Sequence, residues 1–432
     1  MRKLLVLLVL IVAAIVFVVV RSPKPSVELS SSANVIGQAT PVTVHVKSRR
    51  GIRKLDAFVE QNGATYPVSV GEQVPAGDTT LNLTVGTAGI SKLQDGKAKV
   101  IVEVTGNGPL RPSARAERDF DVITRPPMVS VDSDTHYLYL GMADLATFNV
   151  SGTYKEAGVR VGDQKFRAWP MPGGKPGMFS LFAFAWNMPS GTIPMVYASN
   201  GAGNDVTSPI AFQFPKKEQP KYSIHDLKLD DRFIQKVVGE LDPNGSGDLV
   251  SRFVKINSEM RRANNKTLSD LRLKTADHFL WSKPFLRQPG ASTEATFADT
   301  RNYIYNGQKI DQQTHLGYDL AVTANVGVQA SNDGKVVYAA PLGIYGNCIV
   351  VDHGYGLQTI YGHLSRIDVK EGDMVKLGQV MGLSGMTGMA GGDHIHYAMQ
   401  LDGVQIDPKA LWDAHWIKDH IVKRVDLPGF GQ

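Results

Sequence analysis

The stretch that decides the fold of the C-terminal third of the chain is Asp393-His394-Ile395-His396-Tyr397-Ala398-Met399-Gln400-Leu401. Polar and apolar residues alternate along it, as they do in a strand, where successive side chains point to opposite faces. The alternation predicts that His394 and His396 share one face. The opposite face is then apolar and formed by Ile395, Tyr397, Met399 and Leu401. Two imidazoles on one strand face can hold a metal ion.

A second polar pair lies upstream, in Thr314-His315-Leu316-Gly317-Tyr318-Asp319-Leu320-Ala321-Val322. Leu320 and Val322 have the spacing of core residues, so Asp319 points the opposite way. His315, Asp319 and one histidine of the His394/His396 pair would form a nitrogen and oxygen ligand set with one position open for water. This is the pattern of a catalytic zinc site.

The segment Arg301–Pro408 resembles the catalytic domain of lysostaphin- and LytM-type zinc endopeptidases, which cut peptide bridges of bacterial peptidoglycan. The resemblance rests on HxxxD at His315 to Asp319, HxH at His394 to His396, and Tyr361-Gly362-His363-Leu364 between them. Further elements follow in the order of the family, namely Asp333–Tyr338, Tyr345–Asn347, Val351–Gly354 and Gly372–Gln379. The ordered set is far more specific than any one of these motifs alone.

This resemblance implies an antiparallel β domain with a groove across its sheet, zinc at the floor and loops such as Gly385–Gly392 as walls. It implies that Zn²⁺ is held by His315, Asp319 and His396. His363 and His394 are then free to act as general base or as donors to the oxyanion, and the sequence does not separate these two roles. Strand alternation also predicts that Tyr361 and His363 share a face.

Three positions depart from the family pattern. Asp393 precedes the HxH motif in place of proline, and we expect its carboxylate to raise the basicity of His394. Ala398 stands where many relatives carry an acid, and Phe297-Ala298 replaces a Phe-Gly that often opens the domain. These departures concern substrate preference, because the predicted ligand set is complete.

The N-terminus predicts export. Arg2-Lys3 precedes an uninterrupted apolar run from Leu4 to Val20, and roughly 17 residues at about 1.5 Å each approach the length of a membrane span. No small-residue cleavage site follows the run, which favours a retained signal anchor at 1–25 over a removed signal peptide. The prediction is an inner-membrane protein whose catalytic domain faces the periplasm.

Composition adds few constraints. The 432 residues leave room for two to four domains. A net charge of +5, from 46 basic and 41 acidic residues scattered along the chain, comes with no nucleic-acid motif, so no nucleic-acid partner is predicted. The single cysteine, Cys348, lies in an apolar run and excludes an intramolecular disulfide.

The predicted fold is mainly β and multidomain. Alternation such as that of Val42, Val44 and Val46 predicts one β-sandwich module at 26–125, and a weak repeat predicts a second at 126–215, both of immunoglobulin-like type. In the second module Phe179, Phe182, Phe184 and Trp186 are predicted to form core rather than a sugar-stacking surface. The modules are candidate surfaces for a protein partner.

A helical connector is predicted at 216–284, between the β modules and a peptidase domain at 285–432. Asp230 can cap a helix containing Phe233, Ile234, Val237, Val238 and Leu241, and Leu249, Phe253, Ile256 and Met260 indicate a second. We interpret Arg261-Arg262 as a solvated helix face. A sharper hypothesis, suggested by the upstream inhibitory segments of the family, is that the connector restrains the groove. The segment Lys409–Ile417 predicts a short amphipathic helix.

Three functions follow from these patterns. The first is a zinc endopeptidase that cuts peptide cross-links of peptidoglycan from a membrane tether. The second is a catalytically silent module of the same fold that binds and activates another cell-wall hydrolase, although such modules usually lack ligands. The third is secreted proteolysis of other glycine-rich proteins.

Overall fold

The computed structural model describes residues 23–425 except residues 133, 202 and 204. With 46% strand and 14% helix, it confirms the prediction of a mainly β chain. The apolar run of the predicted anchor, residues 4–20, lies outside the described residues. Among the residues that the structure does describe, no helix is both long and apolar enough to cross a membrane.

The chain divides into two compact units. The first unit contains Met1–Val129, Val150–Glu156 and Ala198–Thr207. The second unit contains Ser130–Asn149, Ala157–Tyr197 and Ser208–Gln432, and it therefore holds most of the second β region together with the connector and the predicted peptidase domain.

The first β region has one core between two sheets. The strands are β1 (Ser26–Ser30), β2 (Val35–Ile36), β3 (Thr40–Ser48), β4 (Ile52–Gln61), β5 (Ala64–Val74), β6 (Gly77–Val85), β7 (Gly96–Gly106) and β8 (Ser113–Val122). One sheet has the order β1-β3-β6 and the other β2-β8-β7-β4-β5. Val42, Val44 and Val46 of β3 are buried while the alternating residues His45 and Lys47 are exposed, as the alternation predicts. Side chains of both sheets share one hydrophobic cluster.

The second β region is built from shorter strands. They are β9 (Met128–Val131), β10 (His136–Tyr137), β11 (Ala143–Ser151), β12 (Glu156–Val161), β13 (Gln164–Arg167), β14 (Trp169–Pro170), β15 (Met178–Ala183), β16 (Met195–Ser199), β17 (Asp205–Pro209) and β18 (Phe212–Gln213). Phe179, Phe182 and Phe184 are almost fully buried, which confirms that they are core residues. Trp186 is half-buried and packs edge-on against Tyr222.

The connector contains one strand and a run of helices. Strand β19 (Ile224–Lys228) is followed by α1 (Asp231–Leu241), α2 (Leu249–Lys255) and α3 (Arg261–Asp270), with a π-helical turn at Ile256–Met260 and a 3-10 turn at Leu271–Lys274. Asp230 caps α1 as predicted, because its carboxylate accepts a hydrogen bond of 2.8 Å from the Phe233 backbone N–H. Asp248 caps α2 in the same way, from Ser251 N–H.

The rest of the second unit is an antiparallel β domain. Its strands are β20 (Ser292–Ala295), β21 (Asp299–Tyr305), β22 (Gln308–His315), β23 (Tyr318–Ala321), β24 (Gly327–Gln329), β25 (Gly334–Pro341), β26 (Asn347–Asp352), β27 (Leu357–Leu364), β28 (Arg366–Ile367), β29 (Met374–Val375), β30 (Val380–Leu383), β31 (Ile395–Leu401) and β32 (Val404–Ile406). The main sheet has the order β20-β23-β31-β27-β26-β25-β29, with β32 paired to β31.

Two smaller sheets complete this region. The connector strand β19 pairs in parallel with β21, which pairs antiparallel with β22, and β24-β30-β28 forms the other sheet. The predicted C-terminal helix is broken at Asp413 into α4 (Lys409–Trp412) and α5 (Ala414–Ile417), followed by a π-helical turn at Lys418–Val422. Trp412 packs against Tyr318 and Tyr397, so this segment covers the face of the main sheet formed by Tyr397.

The connector helices and the main sheet share one hydrophobic core. On the connector side this cluster contains Ile234, Val237, Val238, Phe253, Ile256, Leu268 and Leu271, and on the sheet side it contains Tyr303, Val337, Leu342, Ile344, Tyr345, Cys348, Val350, Ile360 and Ala398. Removing the connector would expose these sheet residues to water. The helices are therefore structural neighbours of the sheet rather than a loose linker.

Candidate active site

Three neighbouring strands bring together the predicted metal ligands. His315 is the last residue of β22, Asp319 lies in β23, and His396 lies in β31. Asp319 and His396 are directly opposite each other in the β23–β31 ladder, where side chains on the same face are close neighbours. Gly317 allows the turn between β22 and β23 to pass under the imidazole of His396, because a Cβ at this position would lie 2.6 Å from its Cε1 atom.

The ligand atoms of these residues, which we call the metal-site cluster, converge on one another. His315 Nε2 lies 2.9 Å from His396 Nδ1 and 3.0 Å from Asp319 Oδ1, and His396 Nδ1 lies 3.3 Å from the same oxygen. Ligands at about 2.0–2.1 Å from a tetrahedral zinc ion lie roughly 3.3 Å apart, so these separations suit a zinc-sized ion. The cluster is a group that could hold a metal ion.

Hydrogen bonds around the cluster fit metal binding. His315 Nδ1 lies 3.2 Å from the Thr296 carbonyl, which can only accept, so Nε2 keeps its lone pair for the cluster. His396 Nε2 is buried and has no hydrogen-bond partner among the described residues. His315 Nε2 and Asp319 Oδ1 each present a lone pair to the cluster, and His396 Nδ1, which carries a proton or a lone pair according to its tautomer, lies within 3.3 Å of both.

An ion-pair network supports the other oxygen of the Asp319 carboxylate. Arg301 Nη2 donates to Asp319 Oδ2 at 2.9 Å, and Arg301 Nε donates to Asp299 at 3.2 Å. Asp299 is buried and also accepts from Ser223 Oγ, while His225 Nδ1 lies 2.9 Å from it. No sequence motif indicates this network, because Arg301 and Asp299 belong to none of the motifs around the ligands.

His363 and His394 stand beside the cluster, as predicted. Their rings are 4.8 Å apart between centroids, and the His363 ring is 5.8 Å from that of His396. His363 Nδ1 donates to the Thr387 carbonyl and His394 Nδ1 to the Gly392 carbonyl, each at 2.9 Å. Both Nε2 atoms are thus left for the site, and that of His394 lies 3.4 Å from Asp319 Oδ1.

The predicted shared face of Tyr361 and His363 is wrong. Tyr361 packs against Tyr397 on the far side of the sheet, and its hydroxyl accepts from the Ser331 N–H at 2.7 Å. His363 has φ of 65°, a left-handed conformation that is rare for residues other than glycine. This local reversal, beside a register shift in the β26–β27 ladder, turns the imidazole of His363 to the groove face.

Burial and mutual proximity set the protonation of the site residues. Burial raises the pKa of Asp319, but the adjacent His315, His394 and His396 outweigh it and hold that pKa well below its usual value. Burial lowers the pKa of His396 to about 4 and, together with the neighbouring histidines, lowers that of His363 well below its usual value. His396 and His363 are therefore neutral imidazoles, and the carboxylate of Asp319 is ionised. A metal ion requires its histidine and carboxylate ligands in these protonation states.

The departures from the family pattern now have structural explanations. Burial lowers the pKa of His394, but its hydrogen bond to Asp319 outweighs this and raises the pKa overall; the cause is Asp319 rather than the predicted Asp393. Asp393 instead accepts from the Asn325 N–H at 3.2 Å. Ala298 is buried with φ of 59°, the conformation that a glycine adopts without strain. Ala398 is core beneath the connector helices.

The cluster lies in a groove of about 500 Å³ whose second wall is the connector. The first wall is the predicted Gly-rich loop, represented by Met386, Met389, Ala390 and Gly391. From the connector, Lys236 Nζ donates to the Met386 carbonyl at 2.6 Å and also to the Gly388 carbonyl, and Glu240 accepts from the Gly388 N–H at 2.5 Å. The connector therefore holds the loop in place, a role that the sequence did not indicate.

Arg261 and Arg262 were predicted to form a solvated helix face, and this prediction is wrong for Arg261. Arg261 is half-buried, lines the groove, and hydrogen-bonds to Asn257 and to the Met389 sulfur. Arg262 is exposed, as predicted for a solvated face.

Two other sites that contain buried histidines lie away from the groove, the first a single residue and the second a group of four residues. His353 is fully buried, bonded to the Asp333 carbonyl and to Thr359 Oγ1, each at 2.8 Å. The second group, which we call the Arg424 cluster, consists of His136, Asp144, His420 and Arg424. Asp144 lies 2.8 Å from His136 Nδ1, 3.1 Å from His420 Nδ1 and 2.9 Å from Arg424 Nη1.

Comparison with known proteins identifies the region around the groove. Residues 313–408 match the model of peptidase family M23, and this range contains all five predicted site residues. The peptidoglycan DD-endopeptidase ShyA of Vibrio cholerae is 43% identical over 89 residues, 21% of this chain and 21% of the relative. The DD-carboxypeptidase/endopeptidase Mpg of Neisseria meningitidis serogroup B is 37% identical over 97 residues, 22% of each protein. The chain thus matches about a fifth of the length of these relatives.

Among solved structures, the catalytic domain of the antimicrobial peptidase lysostaphin from Staphylococcus simulans is 29% identical. The similarity covers 27% of this chain and 89% of that domain, with a TM-score of 0.23. The match at 313–408 confirms the resemblance predicted for Arg301–Pro408.

Proposed function

We propose that this chain, which carries a peptidase family M23 domain at residues 313–408, is a zinc metalloendopeptidase that hydrolyses peptide cross-links of bacterial peptidoglycan. The observation that carries the proposal is the convergence of His315, Asp319 and His396 at the floor of an open groove. M23 peptidases are metalloproteases, and relatives named as peptidoglycan DD-endopeptidases match this region.

Zinc is the metal that the donor set suits, because two imidazoles and one carboxylate form a common catalytic zinc triad. When bound, zinc would lower the pKa of a bound water and polarise a carbonyl. The protein contributes the geometry of the three ligands, with Arg301 and Thr296 orienting Asp319 and His315 from behind.

The remaining chemistry falls to His363 and His394. Each is fixed by a backbone carbonyl at Nδ1, so its Nε2 can exchange a proton with a reacting group in the groove or donate to a developing oxyanion. Either histidine could exchange the proton while the other donates to the oxyanion. A fixed imidazole at each position lets one histidine serve each role.

The surrounding segments complete the proposal. The apolar N-terminal run would anchor the chain in the inner membrane, with the M23 domain on the periplasmic side. The two β regions would be immunoglobulin-like sandwiches that offer surfaces to a protein partner.

The decisive experiment is digestion of purified peptidoglycan by the full chain in detergent. The proposal predicts new peptide ends identified by mass, their disappearance with a chelator, and their return with added zinc. The alternative of a silent module that activates another hydrolase predicts no new ends from the isolated chain. It also predicts that activation of a partner hydrolase survives the change His396→Ala.

A further inference from the structure

The connector wall of the groove carries an excess of positive charge. Five basic side chains line the groove, against two carboxylates, and the metal-site cluster would add a divalent cation. The basic residues are Lys228, Arg232, Lys236, Arg261 and Arg301, and the carboxylates are Asp230 and Asp319.

Two of these cations already have acidic partners. Arg301 pairs with Asp319 and Asp299, and Lys236 pairs with Glu240 at 3.0 Å. Both carboxylates of the groove are also engaged, since Asp230 caps α1 and Asp319 belongs to the metal-site cluster. Neither carboxylate balances the remaining cations.

The other three cations have no acidic partner. Across residues 23–425 as described, no carboxylate lies within ion-pair distance of Lys228, Arg232 or Arg261. Lys228 and Arg232 are exposed toward the groove, and Arg261 keeps its place through neutral oxygens of Asn257. Unbalanced charge of one sign in a concave, partly apolar site attracts ligands of the opposite sign.

We propose that these three cations bind a free carboxylate of the peptide substrate, so that the groove selects acidic peptides over uncharged bridges. This inference rests on the proposed function and narrows its substrate class. Arginine forms paired, charge-assisted hydrogen bonds with carboxylates, and the connector contributes two arginines and a lysine to the groove that His363 and His394 also line. A neutral peptide, such as one made only of glycine, would leave the three cations unpaired.

The connector also supplies a matched control. Lys255 and Arg262 lie on the same helical run, are exposed, and do not line the groove. The double variant Lys255→Gln/Arg262→Gln removes the same charge as Lys228→Gln/Arg232→Gln. It therefore separates local recognition from steering by the net charge of the protein.

The test uses two peptide dimers, one with its free carboxylates and one with the same carboxylates amidated. For the zinc-loaded full chain, kcat/KM should be about 10- to 100-fold higher for the free acid, as expected for charge-assisted hydrogen bonds. In Lys228→Gln/Arg232→Gln this preference should fall to a few-fold, mainly through KM, and in Lys255→Gln/Arg262→Gln it should persist. Equal cleavage of both dimers by the wild type would overturn the inference while leaving the proposed function intact.

A binding measurement keeps the inference testable if the chain cleaves neither dimer, an outcome that would count against the proposed function. Fluorescence anisotropy with the metal-free full chain should show tighter binding of the labelled free-acid dimer, weakening as salt is added. The groove variant should lose this difference and the control variant should keep it. Equal affinity for both dimers, or an unchanged preference in the groove variant, would contradict a carboxylate-binding wall.

Discussion

The metal-site cluster and the Arg424 cluster of the second unit each contain two histidines and one aspartate, and they differ in the cation that contacts the aspartate. In the Arg424 cluster the guanidinium of Arg424 contacts both Asp144 and His136, at 2.9 and 3.1 Å. In the metal-site cluster the nearest cation, Arg301, contacts the outer oxygen of Asp319, and the inner oxygen faces imidazole nitrogens of His315, His394 and His396.

This difference distinguishes a structural cluster from a candidate metal site. Burial raises the pKa of Asp144, but hydrogen bonds to His136 and His420, with a smaller contribution from the charge of Arg424, hold that pKa below its usual value. The Arg424 cluster thereby joins the C-terminal segment to the second β region. In the metal-site cluster the guanidinium of Arg301 hydrogen-bonds to the outer oxygen of Asp319, while histidines surround the inner one. Residue type and proximity alone would not distinguish the two.

The largest expected effect comes from breaking the metal-site cluster. Asp319→Ala removes the carboxylate ligand, and because bound metal contributes several kcal/mol to such reactions, cleavage of peptidoglycan should fall by about 10³-fold or more. Product release measured by mass spectrometry checks this. The matched change in the other cluster, Asp144→Ala, should leave the activity of the folded fraction within a few-fold of wild type. A comparable loss in both variants would contradict the distinction.

Breaking the Arg424 cluster should instead affect stability. Asp144→Asn leaves Arg424, whose side chain is 11% exposed, without its carboxylate, and such losses cost about 3–5 kcal/mol. The free energy of unfolding from urea denaturation should decrease accordingly, while zinc stoichiometry stays the same. An unchanged free energy of unfolding would mean that the cluster contributes nothing to the joint between these segments.

His353 offers a buried histidine outside both clusters, held by the Asp333 carbonyl and Thr359 Oγ1. Burial lowers its pKa from 6.5 to about 4, so its neutral form stabilises the fold above pH 6.5 and that contribution is lost as the pH falls toward 4. His353→Gln should therefore lower the free energy of unfolding at pH 7 but flatten its decrease between pH 6.5 and 4 by about 2–3 kcal/mol. The comparison of denaturation curves for both proteins at several pH values measures this, and parallel curves would refute it.

A smaller effect is expected from the outer cation of the metal site. Arg301→Gln keeps all three ligands but removes the ion pair that orients Asp319, so zinc affinity should fall by about 10- to 100-fold. Competition with a fluorescent chelator measures the affinity. Arg301→Lys, which retains the charge, should recover part of it, and affinity equal to wild type in the Gln variant would show that Arg301 does not position the carboxylate.

The convergence of the three predicted ligand residues agrees with the expectation from the sequence, whereas their surroundings were not predicted. The family resemblance names His315, Asp319 and His396 together, and the structure pairs Asp319 with His396 across the β23–β31 ladder. The face of His363 depends on a left-handed φ of 65°, which strand alternation cannot reveal.

The contacts by which the connector forms a wall of the groove could not be predicted, for a different reason. Its helices and the cap at Asp230 follow from local periodicity, but the contacts of Lys236 with the loop at Met386 and Gly388 span about 150 positions in sequence. Nothing in a single sequence pairs such distant residues. The same holds for Arg424, whose position between Asp144 and His136 decides that those residues are structural.

Titration of zinc into the metal-free full chain, followed by calorimetry, tests the central claim most directly. We predict one equivalent per chain for the wild type and for Asp144→Asn, and none with comparable affinity for Asp319→Ala. Absence of zinc binding by the wild type, or binding that survives Asp319→Ala unchanged, would contradict the assignment of His315, Asp319 and His396 as the metal ligands.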